Sequence, residues 1–403
     1  MAKTASAPRR AEPGAGMSER MVALFAVAGG LAVANIYYAQ PLLTAIAAEF
    51  GVGSATAALL VTVTTAGYAL GLALVVPLAD VLNRRRLVVT LLSVVAAVQA
   101  ASAFAPSVGV LTAISAVLGV SAVVAPLMVA FGATLADDRQ RGRVTGTVMS
   151  GVLVGVLLAR TGGGLIAGVA GTWRAVYLVA AVLMVVLAVV LHRTLPDVPV
   201  ATRMRYPALL RSVVSIVREE PVLRLRCAYG FLCFAGFSAF WASSAFLLAG
   251  EPYRFGEAVI GAFGLLGAIG AYAARVTGRF LDRGWEKATT GTLLVLLLLS
   301  WGVLALGGGT WPVALVVGVL LLDLAVQGVQ VTNLGTVYAL RPEARSRITM
   351  AYTGTYFLGG AAGSALSGAA YAAAGWPAVC LVGAALALAA VVLWAVQTMR
   401  RTR

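Results

Sequence analysis

The feature that most constrains this chain is a series of apolar segments that follow one another from residue 21 to residue 399. Each is about 20 residues long, which is the length an α-helix needs to cross a bilayer. Backbone polar groups find no water in lipid, so such segments form helices. The sequence therefore predicts an all-α membrane protein with twelve spans: Met21–Ile46, Ala55–Leu82, Leu87–Phe104, Ser107–Leu135, Val144–Val169, Ala175–Leu195, Leu225–Ala249, Ala258–Leu281, Ala288–Leu306, Trp311–Leu340, Ile348–Ala374 and Pro377–Met399.

The composition excludes a water-soluble fold. Only 11% of the 403 residues are charged and 61% are hydrophobic, with a mean hydropathy of +0.94. Soluble domains carry about 25% charged residues. The formal net charge of +15 could indicate nucleic-acid binding. However, the basic residues form short clusters between apolar segments, and no basic helix face carries aromatics. We therefore expect a lipid-embedded protein with no nucleic-acid partner.

Cysteine and histidine usage argues against an enzyme. Cys227, Cys233 and Cys380 lie inside apolar segments without paired spacing, and the single histidine, His192, lies at the basic end of a span. This pattern indicates neither a disulfide framework nor a metal site. An intramembrane Ser–His hydrolase would need a histidine within a span. We expect no enzymatic activity and no cofactor.

The distribution of basic residues predicts the orientation. All but four of the 30 Lys and Arg residues lie in the two tails and in alternate loops. Arg174 and Arg254 lie in the opposite loops, and Arg160 and Arg275 lie within spans. By the positive-inside rule, both termini and the long central loop are cytoplasmic.

The chain also repeats at about half its length. Asp80 is matched by Asp282, Arg141 by Arg345 and Trp173 by Trp376, each about 203 residues later. Such parallel repeats are typical of transporters built from two equivalent halves. We expect a disordered tail over 1–19, six-helix halves at 20–195 and 225–403, and a cytoplasmic linker at 196–224. Met17 is an alternative start, and the last residues form a short basic tail.

A motif follows the second span, where the sequence from Tyr68 to Arg86 reads YALGLALVVPLADVLNRRR. Gly71, Asp80 and the arginines at 84–86 resemble the loop between the second and third helices of the major facilitator superfamily. That pattern is roughly glycine, acid, arginine, glycine and a basic pair. This sequence departs from it at Pro77, Val81 and Asn83, which replace a glycine, the arginine and the second glycine.

Two further segments extend the resemblance over nearly the whole chain. The motif has an echo, GRFLDRG, at Gly278–Gly284, and NIYYAQPLL at Asn35–Leu43 is similar to the first helix of one branch of the superfamily. The resemblance implies a transporter with two pseudo-symmetric six-helix halves that works by alternating access. It also implies that Asp80 contacts the start of the eleventh span.

Arg160 stands in a stripe of small residues in the fifth span, where drug-exporting members of the superfamily carry a proline. The stripe consists of Gly151, Gly155, Ala159, Gly163 and Gly164. Small residues let helices approach closely. Arg160 lies about nine residues, or about 14 Å, from the outer end of the span, which is deep for a snorkelling side chain. A charge at this depth is a functional candidate. Packing with an outward-pointing arginine is the alternative.

Asp323 is the only acid well inside a predicted span, at a depth similar to that of Arg160. A carboxyl group in a cavity that changes its access to water is able to take up and release a proton. We interpret Asp323 and Arg160 as the proton-coupling residues. The alternative is an acid that only fixes helix packing. Ser115 occupies the place where drug-exporting relatives carry an arginine in the fourth helix, which leaves the coupling to protons open.

In the superfamily, the first, fourth, seventh and tenth helices line a central cavity. By that analogy, the predicted substrate cavity contains Asp323 together with Asn35, Tyr38, Gln40, Trp241, Gln327 and Gln330. Aromatic and amide side chains on an apolar wall suit a moderately hydrophobic organic molecule. Helix packing is the alternative role for each of them. The predicted cytoplasmic gate consists of Asp80, Arg84, Arg85, Arg345 and Arg347.

The sequence thus favours a secondary transporter of the plasma or inner membrane. Its expected partners are lipid, protons and a small organic substrate, and we expect a monomer. The triple glycine at Gly162–Gly164 lacks the Lys-Ser/Thr of a phosphate-binding loop, which argues against ATP drive. Proton-driven export of a drug or metabolite is the favoured activity. Uptake of a metabolite and a non-transporting receptor or scaffold are the alternatives.

Overall fold

The computed structural model describes residues 17–137, 139–198, 206–308, 311–341 and 344–401, and it contains no strand within them. Nine helices in this part of the chain are long and apolar enough to cross a membrane. One of them, Arg345–Met399, is two spans joined at a kink, because Ala374 and Gly375 leave the helical backbone conformation. The first and eighth spans are assembled from shorter helices. Together they give the predicted twelve spans.

The first six spans form one half of the molecule. The first span consists of Glu19–Ala34, the short 3₁₀ helix Gln40–Leu42 and Leu43–Phe50. The other five are Ser54–Leu74 with Val76–Asp80, Arg84–Ala103, Val108–Ser121 with Val124–Leu135, Arg141–Ala170 and Arg174–Thr194. The interruption of the first span falls beside Pro41, whose missing N–H cannot continue the helical hydrogen bonding.

The other six spans form the second half. They are Pro221–Ala249, the eighth span with its three parts Glu257–Ala262, Phe263–Ala268 and Ile269–Asp282, Glu286–Leu306, Pro312–Tyr338, and the two spans within Arg345–Arg401. The twelfth span begins after the kink, where Gly375 has a φ of 65° and Pro377 follows. A positive φ of this kind is accessible to glycine without steric cost.

The two halves pair their helices in the same way. The first span packs on the fifth, the second on the fourth and the third on the sixth, and the equivalent pairs recur in the second half. Between the halves, the second span packs on the eleventh and the fifth on the eighth. We call these two contacts the second–eleventh seam and the fifth–eighth seam. We call the side that carries Glu49, Trp173 and Trp376 the outer side, following the predicted orientation.

The segment between the halves contains a helix that the sequence analysis treated only as a linker. Tyr206–Glu219 buries Leu209 and Ile216 on one face. The Tyr206 hydroxyl donates a hydrogen bond to the Leu74 carbonyl at 2.6 Å, and Arg341 pairs with Glu219 at 2.9 Å. The hydrogen bonds from Ser215 and Arg341 hold the pKa of Glu219 below its usual value. The linker helix is therefore tied to both halves. Residues 1–16 of the tail predicted at 1–19 lie outside the described residues, and the structure begins the first helix at Glu19.

Candidate functional site

Arg160 is buried where the two halves meet. Only 2% of the residue is exposed, and its Nε donates a hydrogen bond to Gln40 Oε1 at 2.7 Å. The guanidinium carbon lies 3.9 Å from the ring centroid of Trp241, which belongs to the seventh span. Tyr37 and Phe237 complete an aromatic enclosure at 5.1 and 5.5 Å. Aromatic faces stabilise a desolvated cation by about 0.5–2 kcal/mol. The arginine thus connects the fifth, first and seventh spans.

Asp323 is equally buried, at 2% exposure, in the tenth span. Its Oδ2 atom has no hydrogen-bond partner among the described residues. No ion pair within 4.0 Å joins Asp323 to Arg160 in this part of the chain, yet the two groups interact electrostatically. Tyr356 of the eleventh span also lies within electrostatic range of Asp323. The two predicted coupling residues therefore belong to one electrostatic cluster, with one in each half.

The eighth span contacts both charged side chains through a run of glycines at every third position. We call Gly261, Gly264, Gly267 and Gly270 the glycine ladder. Its centre, Phe263–Ala268, is a 3₁₀ helix, in which positions three apart are eclipsed and so share a face. A Cβ atom on Gly264 would lie 2.7 Å from Arg160 Cβ, and one on Gly267 would lie 3.5 Å from Asp323 Oδ1. The ladder lets this span approach both groups closely.

The glycine ladder was not predicted, although the sequence carries a signal for it. The period of three in IGAFGLLGAIGA is the period of a 3₁₀ helix, and it differs from the 3.6-residue period of an α-helix. Tyr37 and Phe237 were also missed. No pattern distinguishes them from the other aromatic residues of their spans, because only the meeting of the two halves brings them to Arg160.

Two buried polar atoms around Arg160 lack partners. Arg160 Nη2 and Trp241 Nε1 are buried donors with no acceptor among the described residues. A cavity of about 10 Å³ lies beside them, lined by Gln40, Pro41, Arg160, Trp241, Ser244 and Ile260. That volume is about the minimum for one water molecule. Burying a polar group without a partner costs about 1–3 kcal/mol. The site therefore keeps unused hydrogen-bonding capacity next to a very small space.

The structure places the other predicted cavity residues in different surroundings. Gln327 lies against the glycine ladder, since a Cβ atom on Gly270 would be 2.6 Å from its Cγ. Gln330 accepts a hydrogen bond from the Tyr352 hydroxyl at 2.5 Å. The Tyr38 ring lies beside Gly163 of the fifth span. Gln40 and Trp241 contact Arg160 directly, as described above.

Asn35 lies elsewhere, within the first half. Its Nδ2 donates hydrogen bonds to the carbonyl oxygens of Leu31 and Ala32, and its Oδ1 accepts one from Gln99 Nε2 at 2.7 Å. Met184 of the sixth span is a further contact. These bonds use the amide inside the bundle of the first, third and sixth spans. The structure does not bring Asn35 to the Arg160–Asp323 cluster.

The predicted gate residues lie at the ends of the second, third and eleventh spans. Asp80 pairs with Arg84 at 3.5 Å and faces Ser346 and Met350, in the first turns of the eleventh span, across a cavity of about 40 Å³. Arg85 donates a hydrogen bond to the His192 carbonyl. Arg345 Nε donates to the Tyr338 carbonyl at 3.3 Å. Arg347 lies in the first turn of the eleventh span.

A second buried arginine, Arg226, was counted with the basic residues of the central loop, although it is the second residue of the predicted span Leu225–Ala249. The structure places it within the seventh span, where it pairs with Glu286 of the ninth span. Thr290 and Asn333 accept further hydrogen bonds from it, each at 3.3 Å. Its position next to the predicted linker concealed its burial. The partners of Arg226 in these contacts all belong to the second half.

Comparison with known proteins agrees with this architecture. The model of the Major Facilitator Superfamily matches residues 25–364. The chain is 45% identical over 383 residues to uncharacterized transporter YgaY of Escherichia coli O157:H7, covering 95% of this chain and 97% of that protein. It is 35% identical to a protein named as transporter SCO4007 in Streptomyces coelicolor, covering 94% and 89% of the two chains.

Solved structures show the same fold. A crystallised mutant of the nucleoside transporter NupG superposes with a TM-score of 0.77 at 14% identity, covering 93% of this chain and 99% of that one. The human organic anion transporter MFSD10 gives a TM-score of 0.65 at 18% identity, with coverages of 94% and 100%. The family match spans most of the sequence, and curated relatives over nearly the full length are named as transporters. The chain belongs to the major facilitator superfamily.

Proposed function

We propose that this protein is a secondary active transporter of the cell membrane that exports a small organic compound in exchange for protons. The observation that carries the proposal is the Arg160–Asp323 cluster. One charged residue from each half is 2% exposed, and both contact the same glycine ladder. A buried charge is costly in a membrane and usually marks a transport pathway. Asp323 is the proposed proton carrier, and Arg160 favours its ionised form.

The proposed cycle follows from the position of the cluster between the halves. When the halves rock about a central site, the side of the membrane to which the site opens changes. Asp323 then exchanges protons with one side at a time. Bringing Arg160 closer stabilises the carboxylate, and a change of about 1.4 kcal/mol shifts the protonation equilibrium tenfold. Asp323 thereby couples proton release to the movement of the halves.

Asp80 is proposed to act in the cytoplasmic gate. It lies across a small cavity from the first turns of the eleventh span, and the N-terminus of a helix favours a nearby carboxylate by about 0.3–1 kcal/mol. In this proposal, both termini are cytoplasmic, the protein acts as a monomer, and Asp80 and the surrounding arginines stabilise the closed cytoplasmic side. The Asp80→Asn variant is expected to favour the state that is open to the cytoplasm and to slow transport, without loss of membrane insertion.

The direction of coupling is tested in liposomes containing the purified protein and a trapped pH-sensitive dye. The interior is acidic, and uridine, p-aminohippurate, ethidium or L-phenylalanine is added outside. Exchange for protons raises the internal pH when a probe enters. Cotransport with protons lowers it, which would favour the alternative of metabolite uptake. A receptor or scaffold gives no change with any probe, and that result would overturn the proposal.

The Asp323→Asn variant tests the proposed proton carrier, because asparagine imitates the neutral acid. It is expected to exchange labelled substrate for unlabelled substrate while losing accumulation driven by the pH gradient. Glu251→Gln is the matched control, since Glu251 is an exposed outer-loop acid whose ion pair with Arg254 contributes little. Gradient-driven accumulation by Asp323→Asn at the normal rate would show that Asp323 is not the coupling group.

A further inference from the structure

The hydrogen-bonding groups that remain unused around the two charges are opposite in kind. On the Arg160 side, two buried donors, Arg160 Nη2 and Trp241 Nε1, have no acceptor among the described residues. On the other side, Asp323 Oδ2 is a buried acceptor that receives no hydrogen bond from the described part of the chain. The adjacent cavity of about 10 Å³ has room for one water molecule at most, and it is lined by Arg160 and Trp241 but not by Asp323. The site therefore offers donors at one end and an acceptor at the other.

The eighth span lies against both residues. Gly264 faces the aliphatic stem of Arg160, and Gly267 lies near Asp323 Oδ1, one turn further along the same face of the 3₁₀ helix. Opposite charges in a dry interior attract strongly, yet no ion pair within 4.0 Å forms between these two residues. The arrangement preserves a gap between the guanidinium and the carboxylate.

We infer that the substrate is a zwitterion of the amino-acid type, with its carboxylate on Arg160 and Trp241 and its ammonium group on Asp323. The inference rests on the proposed transport function, for which it names the substrate class. In an α-amino acid, the two charged groups are separated by two bonds. With a hydrogen bond of about 2.8 Å at each end, the molecule bridges a gap of about 8 Å or less. Such a gap is compatible with a guanidinium and a carboxylate that interact without forming an ion pair within 4.0 Å.

The aromatic residues around Arg160 indicate the nature of the substrate's side chain. The aromatic rings of Tyr37, Phe237 and Trp241 surround Arg160 within 5.5 Å. An apolar or aromatic side chain suits such walls, because burying it removes apolar surface from water. The cavity of about 10 Å³ is too small for an amino acid in the conformation described. Binding therefore requires the halves to separate at the fifth–eighth seam.

A zwitterion also accounts for exchange with protons. Its ammonium group and a proton compete for the same carboxylate on Asp323, so each excludes the other. The titratable groups that interact with Asp323 in the described residues are Arg160 and Tyr356, and Tyr37 lies beside Arg160. Arginine and tyrosine side chains carry no carboxylate, so Asp323 is the residue of this cluster that accepts the ammonium group.

The test uses three matched probes on the full-length protein in detergent, with binding measured by equilibrium dialysis at fixed pH. L-phenylalanine carries both charges, L-phenylalaninamide only the ammonium, and N-acetyl-L-phenylalanine only the carboxylate. L-leucine and L-tryptophan serve as further zwitterions. Each lost charge-assisted hydrogen bond is expected to weaken binding at least about tenfold. A zwitterion should therefore bind at least about tenfold more tightly than either single-charge probe.

Two variants assign the ends of the probe. Arg160→Gln should remove the preference for L-phenylalanine over its amide, and Asp323→Asn should remove the preference over the N-acetyl form. Ser364→Ala, at the second–eleventh seam where the hydroxyl bonds Thr62 and the Ala58 carbonyl, should keep both preferences. The inference is overturned if no zwitterion binds, if a single-charge probe binds as tightly, or if the variants leave the preferences unchanged.

The binding test is separate from the test of proton exchange. Proton movement with another probe, such as ethidium, together with no binding of any zwitterion, would leave the transport proposal standing and overturn the zwitterion. Zwitterion binding that moves no protons would support the assignment of the site and contradict the proposed exchange.

Discussion

Arg160 and Ser364 occupy equivalent places in the two halves, about 204 residues apart, yet their surroundings differ. Ser364 lies at the second–eleventh seam, where its hydroxyl donates to the Ala58 carbonyl at 3.3 Å and accepts from Thr62 Oγ1 at 3.1 Å. Arg160 lies at the fifth–eighth seam, and its Nη2 finds no acceptor in the part of the chain that the structure describes. A neutral hydroxyl is enough to complete one seam. The arginine at the other is therefore not explained by the need to pack the halves together.

The rest of each seam extends the contrast. Along the second–eleventh seam, Tyr68 packs on Phe357 with ring centroids 4.5 Å apart, and a Cβ atom on Gly360 would meet Phe234 and Thr65. Both spans there run as helices through the contact. At the fifth–eighth seam, the eighth span changes from α-helix to 3₁₀ helix opposite the charges. A stretch of 3₁₀ helix within a span often marks a hinge. We therefore expect the fifth–eighth seam to be where the molecule changes during transport.

The largest expected difference between the seams comes from the repeat-related pair itself. Arg160→Gln removes the charge and the bond to Gln40, and charge-assisted hydrogen bonds contribute about 1.5–3 kcal/mol. We expect gradient-driven exchange to fall at least about tenfold. Ser364→Ala removes neutral bonds that contribute about 0.5–1.5 kcal/mol to stability and touch no charge. Its transport rate should stay within about threefold of the wild type. Initial rates in proteoliposomes measure both, and equal losses would contradict the distinction between the seams.

Two glycines at equivalent positions give the next effect. A Cβ atom on Gly164 would lie 2.2 Å from the Glu257 carbonyl oxygen, and one on Gly368 would lie 2.5 Å from Ala58 Cβ. In both cases whole helices must move apart, and overpacking costs about 1–3 kcal/mol. Gly164→Ala should lower the melting temperature at least as much as Gly368→Ala, because its contact is closer and involves the backbone.

Gly162→Ala is the control for this pair. It lies two residues from Gly164, and a Cβ atom there would meet no atom of the described residues within 4 Å. Alanine also has the higher helix propensity. Its melting temperature in detergent should therefore equal or exceed that of the wild type. A loss like that of Gly164→Ala would mean that helix backbone effects, and not the seam, cause the change.

The sequence predicted the architecture well, because crossing a membrane imposes a length and a polarity on each span. The twelve spans and the membership of the superfamily were confirmed. The eighth span was predicted as one continuous helix, and the structure divides it into three parts. Length and hydropathy do not register the hydrogen-bonding period inside an apolar segment. The spacing of the glycine ladder carried that information.

The site was harder to predict than the fold. The depth of Arg160 and Asp323 in their spans singled them out, because charge in lipid is rare and conspicuous. Asn35 was grouped with them because an amide at mid-span has no directional signal. Its partner, Gln99, is on the third span, and only packing within the first half shows which way the amide points. Contacts between distant spans decide such cases.

The smallest expected contrast lies on the outer side, where Trp173 and Trp376 are again equivalent positions. In the first half, Trp173 Nε1 donates to Glu49 Oε2 at 2.5 Å, and Arg174 pairs with the same carboxylate at 2.7 Å. In the second half, Trp376 Nε1 donates to the Leu304 carbonyl at 3.0 Å. Trp173 is thus held by a charged group and Trp376 by a neutral carbonyl. We call these two arrangements the first clamp and the second clamp.

Salt should separate the two clamps. Glu49→Gln removes an ion pair whose side chains are 39% and 28% exposed, so its contribution is about 1 kcal/mol or less. Raising the salt from roughly 0.05 M to roughly 0.5 M screens such a pair, so the melting temperatures of Glu49→Gln and the wild type should converge. Trp376→Phe loses a buried neutral bond of about 1 kcal/mol, and its difference from the wild type should not depend on salt. If the Glu49→Gln difference persists at high salt, hydrogen-bond geometry and not charge stabilises the first clamp, and the two halves are alike on their outer side.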